Sequence, residues 1–92
     1  WTMHRIDVII AGRVQGVWFR KYTQNKAREL GLTGWVRNET NGTVSLIAEG
    51  DDEPLKKLTK WLQRGSPGAK VNTVNVNWEE ARETLKTFEI IR

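Results

Sequence analysis

The chain has 92 residues, 38% hydrophobic and 28% charged, with no cysteine and a formal net charge of +4. A chain of this length and composition builds one two-layer core and not two, so residues 1–92 read as a single soluble domain. The lack of cysteine excludes disulfides, a thiolate nucleophile and a cysteine metal site, and no apolar run is long enough to span a bilayer.

The first residue is Trp1, with Met3 as a candidate natural start. No charged, apolar and cleavage regions of a signal peptide follow, so the expected address is the cytoplasm. In the first predicted strand, Ile6, Val8 and Ile10 alternate with Arg5, Asp7 and Ile9, giving one apolar face. A helix is predicted from Phe19 or Arg20, burying Phe19, Tyr22, Thr23, Ala27 and Leu30 and stopping at Gly31. Two short strands, Gly34 to Glu39 and Thr43 to Glu49, flank Asn41-Gly42, a dipeptide suited to a tight hairpin turn. The second helix has a capping aspartate at Asp51 or Asp52, Pro54 in its first turn, and a buried stripe of Leu55, Leu58 and Leu62. Gly65-Ser66-Pro67-Gly68 ends it. A strand through Val74, Val76 and Trp78 follows, and Phe88 and Ile90 mark a short edge strand.

Strand, helix, strand, strand, helix, strand is the order of the ferredoxin-like split βαβ fold, an α+β two-layer sandwich (βαββαβ). Two helices then cover one face of a mainly antiparallel four- or five-stranded sheet. The edge strand with Asn75 and Asn77 fits a monomer. Trp61 and Trp78 are assigned to the core or its edge, Trp35 to the side of the hairpin, and Trp18 to the substrate mouth or the cover of its loop. His4, the only histidine, is read as a strand-edge residue and not an acid–base group.

The stretch from Ile10 to Arg20 carries the most chemistry. An apolar strand enters a loop bracketed by Gly12 and Gly16, and the loop opens a helix with Arg20 in its first turn. Loop N–H groups and a helix N-terminus converge as an anion nest, and an arginine fork fits phosphate oxygens. On the residues alone, two readings fit: a phosphate site, or an ordinary glycine-containing turn with a surface arginine.

A second constellation follows in Gly34-Trp35-Val36-Arg37-Asn38, with Gly42, Val44 and Gly50 behind it. Together the two closely resemble the acylphosphatase family, whose first signature has the form G-x-V-Q-G-V-x-F-R. Gly12 through Arg20 match each of its fixed positions, and Gly34, Trp35, Val36, Asn38, Gly42, Val44 and Gly50 match the second signature. The resemblance covers the whole chain, and only Trp18 and Arg92 look idiosyncratic. It implies hydrolysis of the carboxyl–phosphate bond of acyl phosphates to a carboxylate and inorganic phosphate, on small-molecule substrates and without cofactor or metal. It also implies that Arg13, Val14, Gln15, Gly16, Val17, Trp18 and Phe19 form the phosphate loop, that Arg20 binds phosphate with it, and that Asn38 positions the attacking water.

The chemistry can run on these groups. The cysteine-phosphatase loop has its thiol six positions ahead of its arginine, and here that position is Val14. Direct attack by water is therefore expected. The leaving carboxylate is a weak base that needs no general acid. The rest is charge stabilisation and alignment of the nucleophile, for which amides and a guanidinium suffice and an asparagine can both donate to and accept from water. No metal-ligand cluster is visible, since Asp51, Asp52 and Glu53 read as helix N-terminal charge. The sequons at Asn38 and Asn41 read as accidental. Nucleic acid is not an expected partner: the basic residues are scattered, and no strand carries the basic-glycine-aromatic run of an RNA-binding sheet.

Overall fold

The computed structural model describes residues 3–92; Trp1 and Thr2, and with them the start of the chain, lie outside the described residues. The alternation of Ile6, Val8 and Ile10 sets the central strand β1 (Met3–Arg13), with all three side chains fully buried. The remaining elements are α1 (Phe19–Glu29), β2 (Thr33–Asn38), β3 (Val44–Asp51), α2 (Asp52–Leu62), β4 (Lys70–Glu80) and β5 (Phe88–Ile90). They form a five-stranded sheet in the order β4-β1-β3-β2-β5. The β1–β3, β1–β4 and β2–β3 pairs are antiparallel, whereas β5 pairs with β2 in parallel. Two helices on such a sheet make the ferredoxin-like α+β fold, with β5 supplying the fifth strand.

Register explains the core. Ile6 lies opposite Ala48, Val8 opposite Leu46, and Ile10 opposite Val44, so six small and branched side chains share one face. Val36 adds to the same face, and Leu55, Leu58 and Leu62 of α2 with Phe19 and Ala27 of α1 cover it. Each large apolar side chain contributes about 1.5–3 kcal/mol by leaving water.

Two local expectations change, at Tyr22 and at the α2 cap, and the two tryptophans assigned to the core or its edge lie at its margin. Helical spacing puts Tyr22 in the buried stripe of α1, but it is 44% exposed, whereas Gln24 is buried. The cause is β5: α1 lies over both β2 and β5, and Gln24 Nε2 and Arg28 Nε both donate to the Phe88 carbonyl at 3.1 Å. A buried glutamine so bonded is tolerated where an unpartnered one would not be. Asp51 holds the N-cap position of α2 without a side-chain cap bond, and the acidic first turn of Asp52 and Glu53 complements the helix dipole instead. Trp78 is also 44% exposed, because β4 is the sheet edge. It meets His4 edge-on, with ring centroids 5.9 Å apart. Trp61 is only half-buried, against Phe19.

Candidate active site

Val44 in β3 is the register partner of Ile10 on one side and of Asn38 on the other. The loop that leaves β1 and the end of β2 therefore sit at one end of the sheet. The loop begins at a bulge between Ala11 and Gly12. Gly12 has φ 132°, and a Cβ there would stand 2.2 Å from the Lys70 carbonyl oxygen, so no larger residue fits. Gly16 follows at φ 74°, and Trp18 at the N-cap of α1 takes φ 63°, ψ 17°. A left-handed tryptophan is uncommon and marks a loop whose path is fixed by its surroundings.

Two side chains fix that path. Gln15 Nε2 donates to the Glu39 carbonyl at 2.8 Å and to the Thr43 carbonyl at 2.9 Å, tying the loop to the β2–β3 hairpin next to Asn38. Ser66 is buried, and its Oγ donates to the Val17 carbonyl at 2.8 Å, tying the loop to the segment between α2 and β4. The α1 N-cap has no side-chain bond, and the first helical amide with a carbonyl acceptor is Tyr22, on Trp18. The amides of Gly16 through Arg20 have no acceptor among the described residues and remain available to an anion.

A cavity of about 440 Å³ opens at this point, lined by Val14, Gly16, Trp18, Phe19, Arg20, Lys21, Asn38 and Ile90. Arg20 and Asn38, the two residues to which the motifs give the chemistry, are both in the lining. Val14 and Phe19 are buried floor residues, while Trp18 is 75% exposed at the rim. Arg13, Gln15 and Val17 do not line the cavity. The Gln15 amide is engaged by the hairpin, and Arg13 lies at the exposed end of β1, opposite Lys70. Lys21 and Ile90 are in the lining, although Lys21 reads as solvated helix surface and Ile90 as an edge-strand residue in the sequence. What brings Ile90 there is its parallel pairing with Val36, two residues before Asn38.

The electrostatics are one-sided. No carboxylate lines the cavity, and the Arg20 guanidinium has neither an ion pair nor a hydrogen bond among the described residues. The neighbouring carboxylate, Glu39, is occupied elsewhere. The Ser45 hydroxyl and then Arg37 Nε bond it and hold its carboxyl below the usual range. Asn38 Oδ1 is buried without a hydrogen-bond partner among the described residues. A buried carbonyl oxygen is seldom left that way, and the residue that carries this one lines the cavity. Among the described residues, no three His, Asp or Glu side chains converge.

The chain has clear relatives. A family model described as Acylphosphatase matches residues 6–90. A protein named Acylphosphatase from Methylococcus capsulatus is 47% identical, with 98% of each chain covered. The crystal structure of acylphosphatase from Bacillus subtilis aligns with a TM-score of 0.94 at 35% identity, covering 97% of this chain and 99% of that one. The structure of an acylphosphatase from Coxiella burnetii aligns with a TM-score of 0.92 at 41% identity, over 98% and 94% of the two chains.

Proposed function

The chain belongs to the acylphosphatase family and is a hydrolase of that kind, and from this premise we propose how its residues divide the work. The phosphoryl group of an acyl phosphate sits on the loop amides and the Arg20 fork. Asn38 holds the attacking water. The single observation that carries the reading is that Asn38, whose buried Oδ1 has no hydrogen-bond partner among the described residues, lines the same cavity as the uncompensated Arg20.

In this reading the water donates one hydrogen bond to Asn38 Oδ1, which aims its oxygen lone pair at phosphorus. The new O–P bond forms as the P–O bond to the acyl group breaks, and the electron pair of that bond leaves with the carboxylate. The water proton passes to a phosphate oxygen of the substrate, since no protein base lines the cavity. Loop amides and Arg20 meet the charge on the equatorial oxygens, and such preorganised stabilisation supplies most of the rate in reactions of this type. The site needs no cofactor in this scheme. The reading extends to one domain acting as a monomer in the cytoplasm on small-molecule acyl phosphates. A core cluster that draws on every element but β4, whose Val71, Val74 and Val76 pack against it, supports the single domain; sedimentation and cell fractionation test the rest.

The test is hydrolysis of benzoyl phosphate with EDTA present. Turnover is expected for the wild type, with a fall of about 10²–10³ in kcat for Asn38→Ala and near-normal inhibition by inorganic phosphate. Arg20→Lys is expected to weaken phosphate inhibition, because an ammonium cannot reproduce the planar fork. Near-normal kcat in Asn38→Ala would end the water-positioning role. Unchanged phosphate affinity in Arg20→Lys would rule out recognition by the fork.

A further inference from the structure

A second cavity of about 610 Å³ adjoins the first, sharing Arg20, Asn38 and Ile90 and adding Arg92. A phosphoryl group and a water occupy a corner of such a volume, since pockets of about 300–1,000 Å³ take ligands of many atoms. Resting on the hydrolase reading above, we propose that this cavity is a subsite for the acyl part of the substrate, and that Arg92 there binds a second carboxylate. The favoured substrates are then monophosphates of dicarboxylic acids.

Placement comes from the sheet. The parallel register Gly34–Phe88, Trp35–Glu89 and Val36–Ile90 continues through Ile91, whose N–H donates to the Val36 carbonyl at 2.9 Å. Two further residues along each strand are Asn38 and Arg92. Neighbouring strands lie about 5 Å apart, so Arg92 begins beside the water-holding asparagine and its long side chain reaches outward from there. Ile90, common to both cavities, supplies an apolar surface for the methylenes between the reacting carbonyl and a distal anion.

Charge selects the ligand. Arg5, Arg28, Arg37 and Arg82 each face a carboxylate, whereas Arg92 has no hydrogen bond or ion pair among the described residues. No Asp or Glu side chain lines either cavity. Arg20 is engaged by the phosphoryl group, which leaves Arg92 as the spare guanidinium of the two cavities. Its fork matches a carboxylate in two parallel hydrogen bonds.

The experiment compares kcat/KM for adipoyl phosphate and hexanoyl phosphate, which differ only by a carboxylate in place of the terminal methyl. The wild type is expected to favour adipoyl phosphate by about tenfold or more, as a charge-assisted bond would give. Arg92→Gln should bring the ratio close to one. Lys57→Gln, which removes the same charge from the exposed face of α2, should keep it, separating a local subsite from general attraction by the net positive charge. Raising NaCl should shrink the wild-type ratio. A wild-type ratio of one or less, or a ratio that survives Arg92→Gln, overturns the subsite while hexanoyl phosphate turnover leaves the hydrolase reading standing. Failure to hydrolyse either compound overturns both.

Discussion

Glu49 and Asn38 are polar groups buried in one sheet and treated in opposite ways. Glu49 is 1% exposed and saturated: it accepts from Arg5 Nε at 2.7 Å and from the N–H groups of Arg82 and Glu83 at 2.8 and 3.0 Å. Those bonds fasten the segment after β4 across the outer face of the sheet. Asn38 lies at the opposite end of β3, beside Val44, lining the cavity of the uncompensated Arg20 with its oxygen buried and unbonded among the described residues. One end of the molecule uses its polar groups to hold the chain, and the other leaves them unbonded beside a cavity. Unsatisfied polarity costs stability, so a site of this type is carried by the saturated remainder of the fold.

Breaking the saturated end should give the largest effect. Glu49→Gln leaves the nearly buried Arg5 without a counter-charge, and a loss of about 3–5 kcal/mol in urea unfolding is expected. Its kcat on benzoyl phosphate, measured well below the midpoint, should be close to wild type. Asn38→Ala should do the reverse. The expected loss in kcat corresponds to about 2.7–4 kcal/mol of barrier, with an unfolding midpoint equal to or above wild type. A matching drop in stability would contradict the contrast between the two ends.

Gln15 joins the two behaviours, because its side chain is structural while its loop is the one proposed to hold phosphate. Gln15→Leu removes two hydrogen bonds of about 1 kcal/mol each and frees the loop from the hairpin that carries Asn38. A fall of about tenfold in kcat with unchanged phosphate inhibition is expected, read by steady-state kinetics. The smallest effect concerns acid. Burial pushes the Glu49 carboxyl up, but the N–H of Arg82, the Arg5 guanidinium and the N–H of Glu83 together outweigh it and hold it below its ordinary 4.5. Its stabilisation is therefore full above the ordinary value and lost as pH falls through the lowered one. Unfolding midpoints measured across the acid limb should fall less steeply in Glu49→Gln than in wild type.

The loop and Asn38 were legible because their signals are local: Gly12, Gly16 and Arg20 lie within nine consecutive residues, and Asn38 follows a matched run from Gly34. The strand and helix order was legible from periodicity for the same reason. Ile90 and Arg92 were not, since their place beside Asn38 depends on a parallel pairing across more than fifty residues that no pattern in β5 announces. The tie from Gln15 was hidden in another way. The motif marks Gln15 as part of a phosphate loop, whereas its amide faces the hairpin, and only backbone carbonyls meet it there. Tyr22 misled for a related reason, as helical spacing alone cannot tell which way α1 rolls once β5 lies under it.

The lateness and brevity of β5 have a kinetic meaning. A strand of three residues must close a loop of more than fifty to reach β2, with few contacts to offset the closure entropy. Contacts of such sequence separation form slowly unless the rest of the sheet is there to receive them. Refolding from urea should restore the spectroscopic signal of sheet and helices before it restores turnover of substrates that reach the Arg92 cavity. Competence toward those substrates is a property the chain acquires in time, after the rest of its architecture is already in place.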